Sequence, residues 1–173
     1  IATTSPMVAI QLDSNETGKS MNDLLASGYI DAILGSRRPE SLSQHPDVVR
    51  LFPNYREIER DFYRRTRIHP IMHVIAIRQD IYEKDPWIAA SLYQAFDAAK
   101  NWALDRLRIS NAQHSMLPFM FADMDEVDEL FDGDPWPYGI EPNRPTLEAL
   151  VRHLREQHFI TEAPHIEELF VPV

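Results

Sequence analysis

The chain has 173 residues, a formal net charge of −10 and no cysteine. That length can bury a real core, as one domain or two small lobes. The charge argues against nucleic acid or an anionic membrane as partner, and the lack of cysteine excludes disulfides, thiolate-held zinc and a thiol nucleophile. No apolar run approaches the roughly 20 residues of a membrane-spanning helix.

Met7 to Leu12 alternates weakly and reads as a short strand. Asp13 to Gly18 is a turn cluster. Ser20-Met21-Asn22-Asp23 opens a helix, with an acidic residue three after the serine, and Gly28 suits the position past its end. Tyr29 to Leu34 reads as a second strand, running into Gly35-Ser36-Arg37-Arg38-Pro39. Ligands of α/β folds sit at the C-terminal ends of strands, so Arg37 is a candidate anion holder. The plainer reading is a solvated basic turn. Ser41 to Asp47 is polar loop. Asn54 caps a helix that runs to Thr66, with Tyr55, Ile58, Phe62 and Tyr63 at helical spacing and the intervening charges solvated.

Ile71 to Ile77 is nearly all apolar and rich in β-branched residues. It reads as a central strand over 71–78, buried on both faces, with Pro70 at its start. His73 is the one ionisable group inside it. His69 lies four residues earlier, on the same face of a strand. Two histidines are metal-ligand types, but no third ligand stands out, and no metal is expected. Ile81 to Lys84 is a short helical piece. Asp85-Pro86 starts the longest helix, to Arg108. Asp123 starts another, closed by Gly133, whose acidic face reads as solvated surface. Asp134 to Pro145 holds four prolines, Trp136 and Tyr138, which marks a rigid, shaped loop of the kind that carries binding groups. A last helix covers 145–158, and Leu169-Phe170-Val171 is an apolar tail piece.

Four stretches carry a resemblance: Leu24-Leu25-Ala26-Ser27-Gly28-Tyr29-Ile30-Asp31-Ala32-Ile33, Arg65-Thr66-Arg67-Ile68-His69-Pro70-Ile71-Met72-His73, the run from Trp136 to Glu148, and Glu168-Leu169-Phe170-Val171-Pro172. Together they resemble 4,5-dihydroxyphthalate decarboxylase and its relatives. The resemblance implies an α/β fold of the type II periplasmic-binding-protein kind, two lobes hinged around a cleft. The family's chain is about twice as long, so this sequence, which opens on Ile1, would be its C-terminal half. Residues 1–68 would then belong to the second lobe, 69–78 would be the hinge-crossing central strand, and 79–173 would complete the first lobe.

The resemblance also implies cofactor-free decarboxylation of a hydroxylated aromatic dicarboxylate, with Arg37, His69, His73, Tyr138, Glu141, Asn143 and Arg144 converging on the cleft. Such a reaction needs a cation for the carboxylate that stays, which suits Arg37 and Arg144. It needs an acid for the ring carbon, which suits His73 or Glu141. It needs a partner for the phenol, which suits His69 or Tyr138. The ring itself is the electron sink, so no organic cofactor is required. The expected partners are a small aromatic carboxylate and either a second copy or the missing N-terminal half, covering the strand at 71–78. A cytoplasmic location goes with the enzyme. A periplasmic one goes with the rival reading, a solute-binding protein that does no chemistry. A third reading is a fragment without a cleft of its own, stable only as an oligomer.

Overall fold

In the computed structural model, residue 11 and residues 13–108 and 116–173 are described. They form seven helices: α1 (Met21–Ala26), α2 (Ser41–Gln44), α3 (Tyr55–Thr66), α4 (Gln79–Lys84), α5 (Trp87–Arg108), α6 (Met120–Phe131) and α7 (Ile140–Glu156). A 3-10 turn follows at Ile166–Glu168. There is no strand among the described residues. The expected α/β fold is therefore not what this chain forms, and a two-lobed binding-protein fold with a hinge strand falls with it. The expected strand at Met7–Leu12 lies outside the described residues, save for Gln11.

Most of the helices were readable because their signals are local, whereas α2 falls in the stretch read as polar loop and α6 begins at Met120, ahead of the expected start at Asp123. Ser20 accepts a hydrogen bond from the Asp23 N–H at 3.1 Å and starts α1. Gly28, at a φ of 70°, ends it in the left-handed region that glycine adopts freely. The strands failed because their signal is not local. A β-branched run becomes a strand only when another strand takes up its main-chain groups. Residues 29–34 instead bend and stay open, with Tyr29 and Leu34 exposed. From Arg67 to Arg78 the chain runs without helix, turn, bend or ladder. Ile71, Met72, Val74 and Ile75 are exposed there, so the segment read as the central core is surface.

The chain divides into two compact units within α3, one holding residues up to Glu59 and the other Arg60–Val173. In the first, α1 packs on α2. Asn22 Oδ1 accepts from the buried Ser41 N–H at 2.9 Å and joins the two helices, and Leu24 is buried beneath. In the second, α4 and α6 both pack on α5, and α7 packs against the 3-10 turn. Leu147 and Val151 of α7 meet Ile166, with Ile140 and Ile160 at the edge. The arginines of α3 and the acids of α6, each read as a solvated face, pair with each other: Arg60 with Glu126, and Arg64 with Glu129 at 3.6 Å. At the end of α6, Asp132 is left-handed at a φ of 54°. Arg108 anchors this end by donating to Asp128 and to the Gly133 carbonyl.

Candidate functional site

Of the Asp134–Pro145 stretch, read as one shaped loop, only Asp134 to Gly139 is loop, a shaped platform, and the chain is helical from Ile140. Asp134 accepts from the Trp136 N–H at 3.0 Å and fixes the first turn. Its other oxygen accepts from Lys100 at 2.5 Å, and Asp97 takes the same ammonium at 3.0 Å. Burial pulls the Lys100 ammonium down, but the hydrogen bonds from Asp134 and Asp97 outweigh this and hold it above its ordinary value. Lys100 also lies 5.0 Å from the centre of the Tyr138 ring, which meets Tyr93 edge-on. Asn143 donates to the carbonyls of Pro137 and Gly139 at 2.6 and 2.8 Å. In this arrangement Tyr138 and Asn143 shape the platform.

Helix α7 begins at Ile140, earlier than the proline content suggested. Pro142 falls in the first turn, where the N–H has no helical partner, so proline is tolerated there. Arg144 lies in this helix and its guanidinium is paired with carboxylates of the same chain. It bonds Glu141 and Glu167 at 2.6 Å each, with Glu148 at 3.8 Å. The Arg144 hydrogen bond holds the exposed Glu141 carboxyl below the usual carboxylate range. A carboxyl so depressed is ionised near neutrality and is a poor proton donor. Here Glu141 and Arg144 tie α7 to the 3-10 turn, the plainer of the two roles open to them.

His69 is the predicted residue that the fold brings to the platform. Its ring centre lies 4.8 Å from Trp136, 5.1 Å from Phe131 and 6.2 Å from Tyr63. Its main chain is pinned from α7. The His69 N–H donates to the Thr146 hydroxyl at 3.0 Å, and that hydroxyl donates back to the His69 carbonyl at 3.2 Å. Thr146 is itself buried. Thr146→Val keeps the volume and removes both bonds, so it is expected to cost about 1–3 kcal/mol, while Thr146→Ser costs much less. Urea unfolding of the three proteins checks this.

His73 is exposed on the open segment, not enclosed in a strand. In a run without bends it stands about 13 Å along the chain from His69, at about 3.3 Å per residue. No group of three side chains that could hold a metal ion occurs among the described residues. Arg37 is exposed in the first unit.

Sequence reasoning passed over Arg67. It follows α3 in the left-handed region, at a φ of 57°, and its N–H donates to the Tyr63 carbonyl at 2.7 Å. Its guanidinium lies 5.4 Å from the Tyr63 ring centre, beside the His69 cluster. Non-glycine residues are rare there, and such strain often marks a working position. The signal available was proximity: Arg67 stands two residues before His69 in one of the resembling stretches.

The chain is 29% identical over 164 residues to 4,5-dihydroxyphthalate decarboxylase of Comamonas testosteroni. The match covers 94% of this chain and 50% of that protein, so the chain spans about half the length of the curated relative it matches. No family model matches the chain. No helix among the described residues is long and apolar enough to cross a membrane.

Proposed function

We propose that the protein carrying this chain removes carbon dioxide from a hydroxylated aromatic dicarboxylate, with the ring held at the His69 cluster. One observation carries the reading. His69 and Trp136 come from two separate stretches of resemblance, and they pack together at 4.8 Å. Trp136 is half exposed and offers its face to a flat ring. Arg67 suits the carboxylate that stays, because its planar fork matches a carboxylate and it makes no ion pair among the described residues.

His69 is the proposed acid, in place of His73. It gives its proton to the ring carbon that bears the departing carboxylate. The bond from that carbon to the carboxylate then breaks, its electron pair returns to the ring, and carbon dioxide leaves. The hydroxyl oxygen para to that carbon lends electron density while the proton is taken up. No electrons leave the substrate, so no oxidant is needed.

Mixing the protein with 4,5-dihydroxyphthalate in a single-turnover assay tests this. The expected products are carbon dioxide and 3,4-dihydroxybenzoate in equal amounts. Tight binding of the phthalate with no carbon dioxide released would replace this reading with that of a solute-binding protein.

A further inference from the structure

Lys100 is an unusual residue to find enclosed. Its side chain is 10% exposed, and lysine is rarely buried unless it is paired. It projects from α5, and its ammonium reaches Asp134 at 2.5 Å and Asp97 at 3.0 Å. Enclosing such charges costs desolvation that offsets much of their attraction, so the net gain in stability is small. What the pairing fixes is direction.

Asp134 is the joint. Its N–H donates to the Phe131 carbonyl at 3.1 Å, and its Oδ1 accepts from the Trp136 N–H at 3.0 Å. Phe131 and Trp136 are two of the three aromatic rings packed round His69. An aspartate turn of this kind is weak by itself, because the carboxylate can swing out to water. Here the second oxygen is tied to Lys100, so the first stays aimed at the Trp136 N–H. The Trp136 ring is half exposed, so its placement depends on the backbone beneath it.

We infer that Lys100 is a positioning residue for the ring-binding face: through Asp134 it holds Trp136 against His69. It touches no reacting atom. A face set before the ligand arrives avoids the entropy of ordering it on binding. The inference deepens the proposed function, and rests on it only for the identity of the ligand.

The ring current of Trp136 displaces the His69 ring protons in NMR spectra of the ligand-free chain, and Trp136→Leu gives the undisplaced reference. Lys100→Met is expected to remove most of that displacement. Asp134→Asn is the second variant. It is nearly isosteric and leaves Lys100 paired with Asp97, but its single oxygen cannot lie toward both Lys100 and the Trp136 N–H. It should remove most of the displacement as well. Asp97→Asn takes the other ion pair from Lys100, leaves the Asp134 turn, and should keep the displacement. Calorimetric titration with 4,5-dihydroxyphthalate should show about a 10-fold loss of affinity in the first two variants, the scale of ordering one side chain on binding. Asp97→Asn should bind as the parent does. A full displacement in folded Lys100→Met or in Asp134→Asn overturns the inference. So does an equal loss in Asp97→Asn, which would make Lys100 a staple of the fold alone. If the parent binds no phthalate, the proposed function falls, and the displacements still decide the inference.

Discussion

Replacing Arg67 by glycine is expected to leave the fold about as stable as before and to remove most of the affinity for an aromatic dicarboxylate. The two effects have separate causes. A left-handed conformation costs an L-residue about 1–2 kcal/mol, which glycine does not incur. Against that gain stand the greater freedom of glycine in the unfolded chain, about 0.4–1 kcal/mol, and the lost contact with the Tyr63 ring, about 0.5–1 kcal/mol at an exposed site. The balance lies within about 1 kcal/mol of zero. Binding has no such compensation. A charge-assisted hydrogen bond contributes about 1.5–3 kcal/mol, which is roughly a 10- to 150-fold change in affinity. Urea midpoints and calorimetric titration with 4,5-dihydroxyphthalate, run on both proteins, separate the two. Arg67 caps α3 through its main-chain N–H, which glycine keeps, so a residue that only caps α3 would leave both stability and binding unchanged. Unchanged affinity would remove Arg67 from the site.

What could be read from the sequence follows from the range of each interaction. The N-cap at Ser20, the glycine after α1 and the Asp85-Pro86 start of α5 act within four or five residues, so sequence spacing reveals them. The platform around Trp136 was legible for the same reason, since its prolines and the Asp134 turn are local. The run at 71–77 was misread because the same composition occurs in a buried strand and in an exposed extended run. Only a partner strand tells them apart. His73 was favoured as the acid both as the one ionisable group inside that run and through the resemblance, and it stands exposed.

The His69 cluster depends on contacts that no spacing announces. Thr146 reaches His69 across 77 residues, and Trp136 and Phe131 arrive from beyond α5. Arg144 shows the reverse case. Residue type and a nearby proline-rich loop made it a carboxylate holder, yet three carboxylates of this same chain already surround it. Two of them, Glu141 and Glu148, stand three before and four after it on α7, a spacing that forecasts pairing on a helix surface. That signal was hidden because the helix was expected to begin at residue 145, beyond Arg144.

Substituting His69 by glutamine is expected to lower turnover of 4,5-dihydroxyphthalate by about 100-fold or more, the scale usual for a general acid. The Michaelis constant should change little, because Arg67 and Trp136 remain. Glutamine is close to histidine in size and keeps a polar end, but it cannot deliver a proton. The Thr146 clamp holds the main chain of residue 69, so the substitution leaves it in place. Ring contacts with Tyr63, Phe131 and Trp136 are lost, at about 0.5–1.5 kcal/mol for each aromatic pair. Rates must therefore be read well below the unfolding midpoint of the variant, fixed beforehand by circular dichroism. The pH profile gives a second readout. Turnover through a histidine acid falls as pH rises past the histidine pKa, and His69→Gln should abolish that fall along with most of the rate. His73→Gln should stay within a few-fold of the parent and keep the parent's profile. The reverse pattern, a normal rate for His69→Gln and a 100-fold loss for His73→Gln, would move the proton to His73.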